Sequence, residues 1–186
     1  MFCDSSEAAT VFAILRAIAA GPPQAVVLID GPSGSGKSSL ADTLFAQWPT
    51  DATPQLVRLD DVYPGWGGLV AGAEQLRTEL LLARAEGRTA GWRAWDWSTN
   101  SAAQWHPVFH KQPLIVEGCG AFIHGAAELA DVTVWVSADD AVRKSRALAR
   151  DAGGFDAHWN HWQKQWERYV REQQPREQAQ FVLDVA

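Results

Sequence analysis

Apolar side chains recur along this chain in two rhythms. Val11, Leu15 and Ile18 follow helical spacing until Gly21-Pro22-Pro23 breaks it, which predicts a helix ahead of the first strand. Residues 25–29 form an unbroken apolar run, the pattern of a parallel strand covered on both faces, and are predicted as the central strand. From Lys37 onward, Leu40, Leu44 and Trp48 return every four residues until Pro49, giving a second helix. Leu56-Val57-Arg58-Leu59, Leu114-Ile115-Val116, residues 132–136 and Phe181-Val182-Leu183 read as further strands, and Leu76, Leu80 and Ala83 as a helix ending near Gly87. Longer helical patterns cover about 139–151 and 156–172. This alternation predicts an α/β fold, about five parallel strands flanked by helices. Residues 89–110 fit a strand, a loop or a lid equally.

With 186 residues against about 150 per domain, the chain is expected to form one domain over 1–186. Hydrophobic residues make up 47% and charged residues 20%, so a core can form and disorder is excluded. A net charge of −6 argues against neutralising nucleic-acid phosphates or resting on an anionic membrane. Cys3 and Cys119 supply neither a disulfide framework nor a zinc quartet. Asp4 and Glu7 stand where a signal peptide needs basic residues, and no apolar run is long enough to span a bilayer. A cytoplasmic protein is expected. Five of the 10 tryptophans fall between Trp66 and Trp105, beside Gly65, Gly67, Gly68 and Gly72. Residues of about 64–110 are therefore expected to form a Trp-rich lid or substrate insertion, although each indole singly also fits packing.

Gly31-Pro32-Ser33-Gly34-Ser35-Gly36-Lys37-Ser38 satisfies G-x-x-x-x-G-K-[ST] in full, after an apolar strand and at the start of a helix. That placement suits the chemistry. Glycines let successive backbone N–H groups turn around phosphate oxygens, and the helix N-terminus adds partial positive charge. Gly31, Ser33, Gly34, Ser35, Gly36, Lys37, Ser38 and Ser39 are the expected nucleotide-binding residues; Lys37 reaches the β- and γ-phosphates and the Ser38 hydroxyl ligates Mg²⁺. The second strand leads into Asp60 and Asp61, carboxylates at the sheet edge where open α/β folds bind ligands. Asp60 is the expected base toward a hydroxyl acceptor, the alternative being that the pair solvates a strand end or caps a turn.

These motifs, with the strand ending Leu59-Asp60-Asp61-Val62-Tyr63, resemble the uridine kinase and phosphoribulokinase group of P-loop kinases. The resemblance implies a P-loop NTPase fold with ATP and Mg²⁺ as cofactors and, aligned on Tyr63, places the group's catalytic carboxylate on Asp60. Ile115-Val116-Glu117-Gly118 is similar to the group's strand ending in Glu-Gly, so Glu117 is implied to help hold Mg²⁺, often through water. Arg93-Ala94-Trp95-Asp96-Trp97 is similar to its acceptor-contacting segment, with Trp95 where a tyrosine is common. Asp61, Tyr63, Arg93, Trp95 and Asp96 are accordingly expected to bind substrate. Small uridine-kinase-like ATP-binding proteins of actinobacterial type look similar too, and the loop resembles that of cytidylate kinases. The anchors cover roughly residues 25–151. The group's full nucleoside-recognition pattern is not evident, so phosphoryl transfer is better supported than any acceptor.

Arg143, Arg146 and Arg150 share one face of the helix expected over about 139–151, where Arg146 and Arg150 are expected to close over ATP as a catalytic lid; Asp139, Asp140 and Asp151 leave an ordinary salt-bridged helix as the alternative. His106 and His110 lack further metal ligands at suitable spacing, His158 and His161 edge a packing stripe of Trp159, Trp162 and Trp166, and Cys119 reads as a small buried residue. The expected function is an ATP-dependent kinase that phosphorylates a hydroxyl of a nucleoside-like or other small metabolite. One rival is a nucleoside monophosphate kinase, with Arg58, Arg77, Arg84, Arg88 and Arg93 available for its phosphate; another is an ATP-binding regulatory module that docks a protein partner through its tryptophans.

Overall fold

The computed structural model describes residues 5–150 and 153–185; Cys3, Asp4 and Asp151 lie outside them. A helix α1 (Ser5–Ala20) precedes β1 (Val26–Asp30), α2 (Lys37–Ala46) and β2 (Gln55–Arg58). After a 3₁₀ turn at Leu59–Asp61, α3 (Leu69–Gln75) runs through a π-helical stretch, Leu76–Leu82, into α4 (Ala83–Ala85). A hairpin of β3 (Ala90–Asp96) and β4 (Ser101–Val108) follows, then β5 (Leu114–Glu117), β6 (Val132–Ala138), α5 (Asp140–Arg150), α6 (Trp159–Gln173) and β7 (Phe181–Val185).

The five apolar runs of the sequence are the five strands of one parallel sheet, ordered β2-β5-β1-β6-β7, with β1 in the middle. Alternate side chains of β1 serve opposite faces. Val27 and Ile29 pack with Ile14, Ile18, Leu40 and Leu44 beneath α1 and α2. Val26 and Leu28 join Leu76, Leu80, Phe122 and the tryptophans of α6 on the other side. Each such fully buried side chain contributes about 1.5–3 kcal/mol, which explains why β1 carries no polar residue before its last position. Parallel register aligns Ile29 with Glu117 and Arg58 with Glu117, so Asp30, Arg58 and Glu117 all finish at one sheet edge. Strands leave β1 in both directions across the sheet, which opens a crevice at its carboxyl end.

Several boundaries differ from the sequence reading. Ile14 is buried in the core from α1 with Val11 and Ile18, because these three keep the three- and four-residue spacing of one helical stripe, and Leu15 packs half-buried at its edge. Trp48 lies beyond the end of α2 at Ala46. The pattern at 156–172 becomes helical only at Trp159, after turns in which His158 N–H bonds the Phe155 carbonyl at 2.9 Å. Residues 89–110 settle as the β3–β4 hairpin, an antiparallel ribbon outside the main sheet with a register shift between Arg93 and Trp95. Among the described residues no helix is long and apolar enough to cross a membrane.

Helix α5 starts on a side-chain cap: Asp139 Oδ1 accepts from the N–H groups of Ala141 at 2.9 Å and Val142 at 3.2 Å. Asp139→Ala is expected to cost about 1 kcal/mol, read as a fall of about 2–4 °C in Tm by thermal melting; an unchanged Tm would show that the cap is not energetically coupled to folding.

Candidate active site

The turn after β1 is built by close backbone approach. Gly31 (φ 150°) and Gly34 (φ 79°) adopt conformations that other residues avoid, and a Cβ on either would stand 2.0 Å from the Val136 carbonyl oxygen or 1.9 Å from that of Arg143. The turn is therefore clamped between the ends of β6 and α5. Beneath it, Asp30 is fully buried and accepts four hydrogen bonds: from Gly31 N (2.6 Å) and Gly120 N (3.0 Å) on Oδ1, and from Phe122 N (3.0 Å) and the Tyr169 hydroxyl (2.5 Å) on Oδ2. Burial pushes its carboxyl above the usual range, and the Tyr169 and backbone hydrogen bonds pull it back only in part. One carboxylate thus ties the glycine turn to the segment after β5 and to α6.

The turn rims a cavity of about 180 Å³ that Lys37, Ser38, Ser39, Glu117, Arg146 and Arg150 also line. Lys37 Nζ donates to the Pro32 carbonyl at 2.9 Å and lies 3.7 Å from Cys119 Sγ. Ser38 Oγ donates to Glu117 Oε1 at 2.9 Å. The same carboxylate oxygen receives Arg58 Nη1 at 3.1 Å, while Arg58 Nη2 holds Asp42 at 2.6 Å. A polyphosphate and a hard divalent cation fit this donor set. Ser35 Oγ is buried without a partner among the described residues, the ammonium of Lys37 spends a hydrogen bond on its own turn, and a hydroxyl beside a carboxylate is the oxygen pairing that Mg²⁺ takes. Cys119 is buried as expected, its thiol donating to the Gly31 carbonyl at 3.3 Å; burial pushes the thiol up while nearby Lys37 pulls it down.

A second cavity of about 430 Å³ adjoins the first, and Ser33, Asp60 and Arg150 line both. Its walls are aromatic: Tyr63, Trp66, Trp97, Phe155 and Trp162. Trp66 stacks on Phe155 (4.9 Å) and on His158 (4.8 Å), Tyr63 meets Trp162 edge-on at 4.8 Å, and the Tyr63 hydroxyl is spent on the Cys119 carbonyl at 2.8 Å. Trp97 Nε1 donates to the Asp60 carbonyl at 2.9 Å, which pins the hairpin end over the cavity. Asp60 Oδ2 lies 3.3 Å from Arg150 Nη1 at the boundary between the two spaces. Asp61 lines the aromatic cavity, its carboxyl raised by partial burial and by the adjacent charge of Asp60.

The structure gathers Gly34, Gly36, Lys37, Ser38, Ser39, Glu117 and Arg146 around the first cavity, Asp61 and Tyr63 around the second, and Ser33, Asp60 and Arg150 around both. It does not bring Arg93, Trp95 and Asp96 there. Arg93 Nη1 crosses its own hairpin to the Ala103 carbonyl at 3.1 Å, Trp95 Nε1 is buried without a partner among the described residues, and Asp96 accepts from Ser98 and Thr99, whose hydrogen bonds hold its carboxyl down at about 2. Arg143, on the same predicted face as Arg146 and Arg150, is instead buried, bonded to Asp140 at 2.6 Å and set 5.6 Å from the Trp159 ring. Sequence reasoning missed Trp66, Trp97, Phe155 and Trp162 as cavity walls, and Arg58 as the partner of Glu117. The density of tryptophans pointed to the region but not to which indoles face inward. His106 stacks on Trp92 at 4.3 Å, away from both cavities.

Among solved structures, the chain is similar to a possible uridine kinase from Bacillus stearothermophilus, with a TM-score of 0.68 at 18% identity over 96% of this chain and 100% of that one. The shared fold is an α/β P-loop NTPase fold. A candidate fructose transport system kinase from Silicibacter sp. matches this fold over 80% of the chain and 85% of its own, at 18% identity and a TM-score of 0.51. No protein-family profile and no curated protein sequence matches the chain.

Proposed function

We propose that this protein is an ATP-dependent small-molecule kinase that transfers the γ-phosphoryl group of Mg·ATP to a hydroxyl of a small acceptor. The observation that carries this reading is the position of Asp60, which lines both the phosphate-sized cavity of the glycine turn and the aromatic cavity beside it. A group between donor and acceptor sites is where a hydroxyl proton must be taken as its oxygen meets the phosphorus. Bound Mg·ATP supplies the electrophilic phosphoryl group and the neutralisation of its leaving group. The chain does the rest. Lys37 and the turn's N–H groups hold phosphate oxygens, Ser38 and Glu117 hold the metal, and Arg146 and Arg150 offset charge on the transferring group. Asp60 orients the acceptor hydroxyl and accepts its proton; the new O–P bond forms as the bridging P–O bond breaks, the electron pair leaving with ADP.

The geometry speaks against a phosphate acceptor. Arg58 is engaged by Asp42 and Glu117, Arg77 by Glu74 at 3.0 Å and Arg88 by Glu86 at 2.6 Å. Arg84 donates to the carbonyls of Phe109, Gln112 and Gln24, and Arg93 stays on its hairpin. None of these five lines the aromatic cavity among the described residues.

The test is ADP release from Mg·ATP with a panel of nucleosides, nucleoside monophosphates, sugars and other alcohols, with Lys37→Ala as the blank. Stimulation by a hydroxyl compound at least about tenfold above background, lost in the blank, is expected. Stimulation by monophosphates alone would replace this reading with the monophosphate kinase, and tight ATP binding with no stimulation would replace it with a regulatory module.

A further inference from the structure

The aromatic cavity has an electrostatic character that says what its occupant carries. Two carboxylates, Asp60 and Asp61, line it, and Arg150 is the single cationic side chain among its described lining residues. That guanidinium is paired with Asp60 at 3.3 Å and belongs to the phosphate cavity as well. Asp61 makes no hydrogen bond or ion pair with another described residue; Arg58 and His106 act on it only through space, and Arg58 is bound to Asp42 and Glu117. The remaining walls are aromatic. Tyr63, Trp66, Trp97, Phe155 and Trp162 carry π-systems whose faces are negative, and Trp97 is 40% exposed, accessible to a ligand. A carboxylate without a partner among the described residues, beside several indoles, is a poor host for an anion and a good one for a cation, which gains from the charge and from the quadrupoles together. A volume of about 430 Å³ admits a ring with substituents, within the usual range for small-molecule sites.

We propose that the acceptor is an alcohol bearing a positively charged nitrogen on or beside a flat ring, with Asp61 as the partner of that charge and the indoles of Trp66 and Trp97 as its walls. The hydroxyl of this compound rests on the kinase reading; the charge selectivity rests on the cavity alone. Positive charge on the nitrogen also offsets the repulsion between Asp60 and Asp61, so occupancy leaves Asp60 free to serve the hydroxyl. An acceptor with a carboxylate or phosphate in this cavity meets two like charges and one guanidinium already engaged.

The experiment uses the nucleotide-free full chain and three probes of matched shape: meta-hydroxymethyl N-methylpyridinium, its uncharged isostere meta-methylbenzyl alcohol, and the anionic meta-(hydroxymethyl)benzoate. Dissociation constants come from NMR titrations. The pyridinium is expected to bind about tenfold tighter than the neutral alcohol, with the benzoate weakest. Asp61→Asn is expected to reduce the preference to less than about threefold, and Asp61→Glu to restore part of it, with unchanged circular dichroism in both. Equal or tighter binding of the neutral alcohol, full preference retained in Asp61→Asn, or no binding of any probe would each overturn the proposal. Because no ATP is present, cation preference in a protein that phosphorylates no alcohol would refute the kinase reading, and with it the acceptor role, and leave the cavity's selectivity for a cationic ring standing.

Discussion

Asp60→Asn is expected to lower kcat for acceptor-dependent ADP release by about 10²–10⁴-fold, the usual contribution of a positioned general base. Asparagine keeps the size of the side chain and still accepts a hydrogen bond from the acceptor hydroxyl, but it cannot take the proton. Binding should change little: ATP affinity and acceptor KM are expected to stay within about threefold, because the loss falls on the transition state and not on ground-state contacts. The ion pair with Arg150 does not account for such a fall, since both side chains are about half exposed (52% and 53%) and pairs of that kind contribute about 0–1 kcal/mol. Steady-state kinetics beside ATP titrations separate the two effects. Full turnover in Asp60→Asn with ATP still bound would remove Asp60 from the chemistry and restore the phosphate-acceptor reading, which needs no base there.

Tyr169→Phe is the second large effect, and its size should depend on pH. In the wild type the native carboxyl of Asp30 lies above its ordinary value, so the native state holds a proton over a window in which the unfolded chain has released it. Stability therefore falls as pH rises through that window. The Tyr169 hydrogen bond is what lowers the native value most against the desolvation that raises it. Removing it widens the window upward and deepens the loss. The variant is expected to be destabilised by about 0.5–1.5 kcal/mol in acid, where only a bond to a neutral group is lost, and by about 1.5–3 kcal/mol once the pH exceeds the native value of Asp30, where a buried carboxylate loses a donor. Urea unfolding at the two pH extremes measures both. A difference that does not grow with pH would show that Asp30 is not the charged anchor of the glycine turn.

How much of this was legible beforehand depended on how local each feature is. The three central strands β1, β5 and β6 were readable because a strand covered on both faces must be apolar at nearly every position, as residues 26–29 are. The hairpin at Ala90–Val108 was not: its strands are largely exposed on one side and interrupted by a register shift, so no clean alternation marks them. Arg93, Trp95 and Asp96 were expected as acceptor contacts from the likeness of their segment to one that contacts the acceptor, yet the hairpin spends Arg93 and Asp96 on its own cross-strand and turn bonds, buries the Trp95 nitrogen and brings Trp97 to the cavity. The arginines of α5 show the same limit. A three- and four-residue spacing put Arg143, Arg146 and Arg150 on one face, and the packing of α6 against α5 took Arg143 into the interior while the other two stayed at the cavity.

The sequence by itself determined the phosphate cradle, because consecutive residues set its backbone angles: glycines at 31, 34 and 36 supply the conformations and Lys37 and Ser38 follow on the first helical turn. It also determined the sheet, through apolar runs that have nowhere else to go. Only the tertiary structure decided the rest of the site. Arg58 meets Glu117 through the register of two strands 59 residues apart, and the aromatic cavity takes walls from the segments around Tyr63, Trp66, Trp97, Phe155 and Trp162. An indole lowers free energy by burial against protein or against ligand alike, so its type and spacing carry no mark of which. The long-range packing of α6, the hairpin and the turn after β2 leaves a space between them, and that space turns packing residues into a binding site.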